Sequence, residues 1–135
     1  MFQLDLTSRK SIYQQVVDNF EELIMAEALP EGSKLPSVRE LSKLLSVNPN
    51  TVQKAYRELE RAGFVYTASG LGTFVSEKAK IQPDPARIDA LRQEIREAYS
   101  ALKHSGLSPE EAKTIVLEIL EEDNHDTSKK TDKSL

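Results

Sequence analysis

Two helical patterns separated by a tight turn lie within residues 37–63, SVRELSKLLSVNPNTVQKAYRELERAG. The first begins at Ser37, and Glu40 follows at the spacing of a capping box, which opens a helix. The second begins at Asn48, a preferred N-cap residue, and is followed by proline at the first helical position. This order predicts a helix-turn-helix whose first helix buries its apolar residues at positions 38, 41, 44 and 45.

The segments on either side of these two helices extend the pattern. An amphipathic helix is predicted from about Ser11 to Ala28, and residues 33–35 form a candidate short strand. Residues 64–67 and 73–75 are predicted to form two further strands, joined by a glycine-containing turn. The fold class is therefore mainly α with a small β-hairpin, a winged helix-turn-helix domain over residues 1–80.

A different kind of sequence follows this domain. Pro83 and Pro85 disfavour both helix and central strand, so they mark a linker. One helix is predicted from about residue 86 to 104, and a second opens at the capping box that begins at Ser108. We expect residues 81–122 to form a short two-helix dimerisation region. Residues 123–135 are polar and are expected to be a disordered tail.

The apolar residues of the first C-terminal helix are spaced three and four residues apart, the spacing of a helix–helix seam. The apolar faces of the two helices are too large for a two-helix hairpin to bury alone, so we expect a second copy of the chain to cover them. The expected dimerisation residues are Ile88, Leu91, Ile95, Leu102, Ile115, Val116, Ile119 and Leu120.

The composition argues against several classes of function. The chain of 135 residues has no cysteine, and its two histidines lie at positions 104 and 125. Thiolate metal sites and histidine-based triads are therefore not available, and we expect no enzymatic activity, no metal and no cofactor. No apolar run approaches the roughly 18 residues that a membrane helix needs. No secretory signal is visible, so we expect a cytoplasmic protein.

Charge is distributed unevenly along the chain. The net charge of −4 is unusual for a protein that binds nucleic acid. Residues 33–80, however, contain eight basic and four acidic side chains, a net charge of +4, whereas residues 81–135 carry −4. The predicted helix-turn-helix therefore lies in a basic segment, which favours attraction to a polyanion.

The second helix of the helix-turn-helix has two distinct faces. At 100° per residue, the apolar residues at positions 52, 55, 56 and 59 share one arc. Amides and cations share the opposite arc, and such side chains pair with base edges or phosphates in the major groove. These outward residues are Asn50, Gln53, Lys54, Arg57 and Arg61.

Two further features favour DNA as the partner. Ser37 and Arg39 lie in the first turn of their helix, where free N–H groups and the helix dipole favour an anion such as a phosphate. Gly70 and Gly72 leave the backbone of the hairpin tip free to approach a minor groove, and they also suit a turn that needs positive φ.

Four motifs occur in order at GSKLPSVREL (32–41), VNPNTV (47–52), Ala55-Tyr56 with Leu59-Glu60, and GLGTFV (70–75). Over about residues 10–76 they resemble the GntR family of bacterial transcription regulators. The two-helix C-terminal part, together with residues 48–51, is similar to the YtrA subfamily. The resemblance implies a homodimer on an inverted-repeat operator in double-stranded DNA, often controlling a neighbouring ABC-transporter operon.

The resemblance also implies DNA contacts from the start of the second helix and from the wing. The helical wheel, the first turn of the first helix and the resemblance together give one set of expected DNA-binding residues. They are Ser37, Arg39, Asn48, Asn50, Thr51, Gln53, Lys54, Arg57, Gly70 and Gly72. Many family members carry arginine where this chain has Pro49 and Gln53, so the guanine contacts of those arginines are not carried over. Ser46 stands where many relatives have glycine in the inter-helix turn.

The expected function is that of a sequence-specific transcriptional repressor that blocks polymerase by occupying its operator. The alternative is a winged helix that only binds other proteins, which would predict an acidic or apolar outer face on the second helix. The sequence identifies no effector, because the roughly 40 ordered residues after Lys80 are too few to enclose a sizeable ligand pocket.

Overall fold

The computed structural model describes the backbone of residues 2–133 and the side chains of residues 2–124. The chain divides between Asp84 and Pro85 into two compact units. The first unit contains the helices α1 (Ile12–Met25), α2 (Val38–Leu45) and α3 (Pro49–Arg61), and the strands β1 (Val65–Ala68) and β2 (Gly72–Val75). The second contains α4 (Pro85–Lys103) and α5 (Pro109–Lys133). The predicted fold class, mainly helical with a β-hairpin in a winged helix-turn-helix, is confirmed.

Side-chain caps account for where the helices of the first unit begin. Ser11, Ser37 and Asn48 each accept a hydrogen bond from a backbone N–H in the first turn of the helix that follows. These bonds satisfy donors that a helix start otherwise leaves free. The predicted starts of α2 and α3 are therefore confirmed, whereas α1 ends at Met25 rather than Ala28 because Glu27 turns the chain with a φ of 61°.

One apolar core unites the three helices and the hairpin. Val16 and Val17 of α1, and Val52 and Leu59 of α3, have no exposed surface. Leu44 of α2 was predicted to be buried and is instead 76% exposed. On a helical wheel Leu44 lies about 60° outside the arc shared by the other apolar residues of α2, so it points away from the core.

The hairpin is an antiparallel pair in which Val65 faces Val75 and Ala68 faces Gly72. The segment predicted as a short strand, residues 33–35, pairs with β2 through a single bridge between Lys34 and Phe74. Two backbone bonds of 2.8 Å on either side of this bridge, Leu35 N to Thr73 O and Val75 N to Ser33 O, fix the segment beside the wing.

The second unit is a helical hairpin. Ser108 and Glu111 form the predicted capping box at the start of α5, with reciprocal bonds of 3.0 and 3.1 Å. The two-helix region was expected to end at residue 122 and a disordered tail to begin at residue 123, but α5 continues to Lys133. No proline or glycine follows Pro109, so loss of the apolar face does not by itself end the helix. Residues 134–135 of the expected tail lie outside the described residues.

None of the helices in the described part of the chain combines the length and the apolar character needed to cross a membrane.

Candidate nucleic-acid interface

The outward face of α3 carries polar side chains on a rigid support. Asn50, Gln53, Lys54 and Arg57 are exposed, and the helix is held from behind by its buried apolar residues. Thr51 is half-buried at the edge of this face. The face predicted from the helical wheel is thus on the surface, and these side chains can meet base edges or phosphates without any change in the core.

Asn48 has a defined structural role at the start of this face. Its side-chain Oδ1 accepts a hydrogen bond of 2.8 Å from the backbone N–H of Asn50. The carboxamide nitrogen of Asn48 can still donate to a ligand, because the cap uses only the oxygen.

The cations of α3 differ in their surroundings. The Nζ of Lys54 lies 4.4 Å from the centroid of the Tyr13 ring, a cation–π contact that sequence reasoning missed. Arg61 donates from Nε to Glu58 at 2.9 Å and lies 3.5 Å from Asp84. Hydrogen bonding to Glu58 is the main cause of the raised pKa of Arg61. Arg57, in contrast to Arg61, makes no ion pair with any of residues 2–124.

The start of α2 is exposed and well ordered by its own contacts. Ser37 Oγ accepts from the Glu40 backbone N–H at 3.0 Å, so the hydroxyl hydrogen remains available to a ligand. Arg39 is exposed in the same turn. A phosphate at this position would meet a hydroxyl, a guanidinium and the positive end of the helix.

A partly buried hydrogen bond connects α3 to the segment that leads into α2. Tyr56 Oη donates to the carbonyl oxygen of Pro36 at 2.7 Å. Burial is the main reason that the pKa of Tyr56 is raised, and the charge of Glu40 adds to the effect. The phenol is therefore held as a neutral donor. Sequence reasoning placed Tyr56 in the core and missed this second role.

The turn between α2 and α3 is built on a strained serine. Ser46 adopts φ 55° and ψ 47°, the left-handed conformation that glycine adopts most easily. Val47 N–H then donates to the carbonyl of Ser42 at 3.0 Å and closes the turn.

The wing tip is a tight turn closed by Leu71 N–H, which donates to the Ala68 carbonyl at 2.9 Å. Gly70 has a φ of 77°, which a type II turn requires at its third residue. Leu71 between the two glycines is 68% exposed and was not predicted as a site residue.

A cavity of about 360 Å³ lies between the wing and the start of α2. Ser37, Gly70 and Gly72 all line it, so the structure brings together predicted residues from two separate elements. Lys34 also lines this cavity and was not among the predicted residues. A helical wheel cannot find Lys34, because it belongs to the bridge segment rather than to a helix.

The helices α4 and α5 leave much of their predicted apolar face exposed. Leu102, Ile115 and Val116 are half-buried. Leu117 is 48% exposed beside them and was not among the predicted residues. The remaining predicted dimerisation residues are exposed: Ile88, Leu91, Ile95, Ile119 and Leu120.

The amino-acid sequence of the chain is similar to that of known bacterial regulators. Residues 12–75 match the model of the bacterial regulatory proteins of the gntR family. The chain is 36% identical over 119 residues to the HTH-type transcriptional repressor YtrA of Bacillus subtilis, covering 88% of this chain and 92% of that protein. It is 46% identical over 106 residues to the uncharacterized HTH-type transcriptional regulator YhcF of the same organism, covering 77% and 85%.

A solved structure shares both the fold and the sequence. The crystal structure of a transcriptional antiterminator from Listeria monocytogenes superimposes with a TM-score of 0.71 at 34% identity, covering 88% of this chain and 89% of that one. The similarity to this structure and to YtrA spans most of the chain rather than the helix-turn-helix alone. The chain therefore belongs to the GntR family of bacterial regulatory proteins and is a YtrA-like, DNA-binding transcription regulator.

Proposed function

We propose that the protein is a sequence-specific repressor that binds an inverted-repeat operator as a homodimer. The observation that carries the proposal is the exposed face of α3, where amides and cations stand on a buried apolar support. An acidic or apolar face would favour a protein-binding module instead. The family supports DNA as the partner.

In this proposal each element contacts a different part of the DNA. The α3 helix enters the major groove, where Asn50 and Gln53 pair with base edges, and Lys54 and Arg57 contact guanine or phosphates. Asn48 and Thr51 flank this contact. Ser37 and Arg39 bind a backbone phosphate, and the wing backbone at Gly70 and Gly72 approaches a minor groove. The phosphate contacts position the protein, and the base contacts determine which sequence it prefers.

The apolar face of α4 and α5 supports the homodimer. Ile95, Ile119 and Leu120 are each more than half exposed, an unfavourable arrangement for an isolated chain in water. A second copy docked on this face would cover it. It would also space two α3 helices about one DNA turn, or a multiple of it, apart, which matches an inverted repeat.

Repression and the identity of the target genes are proposed from the relatives. The name of the YtrA protein describes a repressor, and occupation of an operator that overlaps a promoter blocks polymerase sterically. The YtrA-like character favours control of a neighbouring ABC-transporter operon. We propose that the protein acts in the cytoplasm and has no enzymatic role.

Fluorescence anisotropy with DNA from upstream of the protein's own gene tests the proposal. A scrambled duplex is the control, and the salt is stepped from about 50 to 200 mM, over which phosphate-dominated binding weakens strongly. We expect tight, salt-sensitive binding that prefers the upstream DNA. A folded dimer that binds neither duplex at low salt would overturn the proposal in favour of a protein-binding module.

A further inference from the structure

Lys34 is held in a fixed position beside the wing by its neighbours in the chain. Leu35 N–H donates to the Thr73 carbonyl, and Val75 N–H donates to the Ser33 carbonyl, each at 2.8 Å. These bonds lie on both sides of Lys34, which itself forms the bridge to Phe74. The backbone of Lys34 therefore moves with β2 rather than with a free loop.

The side chain of Lys34 lies across the α-carbon of Gly72. A Cβ built on Gly72 would come within 2.7 Å of Lys34 Cε and 3.6 Å of Nζ. A side chain at Gly72 would displace the end of the lysine side chain from this position. The absence of a side chain at Gly72 thus leaves space for a cation at the base of the wing tip, in addition to allowing the φ of 129°.

The charge of Lys34 is not neutralised by the protein. Lys34 makes no ion pair with any of residues 2–124. Glu40, in the first turn of α2, is the one acidic residue that lines the same cavity, and its charge acts on Tyr56 of α3. Lys34 instead stands on the Gly72 side of the cavity, next to the wing.

We propose that Lys34 is a further DNA-binding residue, which contacts a backbone phosphate next to the point where the wing meets the duplex. The inference rests on the proposed function, because the wing must lie on DNA for this contact to form. An ammonium group binds a phosphate as a point charge and carries no base preference. Lys34 therefore contributes affinity without sequence selectivity, and Gly72 acts partly by leaving space for it.

Variants at this position separate the charge from the aliphatic stem. Lys34→Gln removes the charge, and Lys34→Arg keeps it. Lys113→Gln is the matched control, because Lys113 is an exposed lysine of α5 that makes no ion pair with the described residues. Binding is measured by anisotropy on the upstream and scrambled duplexes between about 50 and 200 mM salt, and folding is checked by thermal melting.

We expect Lys34→Gln to lower the slope of log affinity against log salt by about 0.9, the value for one phosphate contact. Its loss of affinity is then about 3–4-fold larger at 50 mM than at 200 mM salt, and is the same on both duplexes. Lys34→Arg and Lys113→Gln keep the parental slope.

Two results would overturn the inference while the parent still binds selectively. One is a Lys34→Gln protein whose affinity depends on salt as steeply as that of the parent. The other is an equal loss of affinity in Lys34→Arg and Lys34→Gln, which would show that the aliphatic stem and not the charge is responsible. If the folded parent binds neither duplex, the proposed function fails and the role of Lys34 fails with it.

Discussion

The Oη of Tyr56 donates a hydrogen bond of 2.7 Å to the backbone carbonyl of Pro36. Tyr56 belongs to α3 and is 5% exposed, with its ring packed edge-on against Phe20 at a centroid distance of 5.7 Å. Pro36 immediately precedes Ser37, the N-cap of α2. The bond therefore joins the helix proposed to enter the major groove to the helix start proposed to bind a phosphate.

Tyr56→Phe removes this bond and keeps the buried ring. The Pro36 carbonyl then loses its partner in a partly buried position, so we expect the free energy of unfolding to fall by about 1–2 kcal/mol. Urea denaturation followed by circular dichroism measures the change. Tyr66→Phe is the matched control, because Tyr66 is an exposed tyrosine of β1. A Tyr56→Phe protein as stable as the parent would show that the bond does not stabilise the fold.

The same residue makes stability depend on alkaline pH. Burial, with a contribution from Glu40, raises the pKa of Tyr56 above that of an ordinary tyrosine. The folded protein therefore keeps this proton where the unfolded chain, with a tyrosine pKa of about 10, releases it. The stabilisation is complete below that pH and declines as the pH rises above it.

We expect the free energy of unfolding of the parent to fall more steeply between about pH 9.5 and 11 than that of Tyr56→Phe. Urea denaturation at a series of pH values measures both curves, and the difference between them removes the contribution of the other tyrosines and the lysines. Parallel curves would be inconsistent with a raised Tyr56 pKa.

Ser46→Gly is expected to stabilise the protein. The left-handed conformation of Ser46 costs an L-residue about 1–2 kcal/mol, which exceeds the extra backbone entropy that glycine loses on folding. We expect a gain of about 0.5–1 kcal/mol and a melting temperature higher by a few degrees. Ser69→Gly is the control, since Ser69 is an exposed turn serine without positive φ. A Ser46→Gly protein that is less stable than the parent would contradict the claim that the conformation of Ser46 is strained.

Ile95→Glu tests the proposed dimer. Ile95 is 68% exposed, and glutamate at this position would place an unpaired charge in the interface. We expect the parent to be a dimer in light scattering at micromolar concentration, and Ile95→Glu to be a monomer with weaker operator binding. Gln93→Glu, which adds the same charge on another face of α4, should remain dimeric. A monomeric parent, or a dimeric Ile95→Glu protein, would rule out this interface.

Local signals were sufficient to predict most of the fold. The caps at Ser37 and Asn48, the capping box at Ser108 and the glycines of the wing each act within a few residues, so they are visible in the sequence. The end of α5 was not predicted, because polarity marks where an apolar face stops and not where a helix stops.

Contacts between elements that are distant in the sequence are not encoded in local patterns and were not predicted. The cation–π contact of Lys54 with Tyr13 and the bond from Tyr56 to Pro36 depend on tertiary packing. The position of Lys34 across Gly72 depends on how residues 33–35 pair with β2. The outward face of α3 was predicted because a helical wheel needs only the local period.

The most direct test of the account measures the base preference of two variants, Gln53→Ala and Arg39→Ala. Affinities are measured on the upstream duplex and on a set in which each base pair is replaced in turn. We expect Gln53→Ala to lose about 1–3 kcal/mol of discrimination at one base position in each half-site. Arg39→Ala should weaken binding to every duplex alike and lower the salt slope by about 0.9. If both variants bind the whole set as the parent does, α3 and the start of α2 are not the surface that recognises DNA.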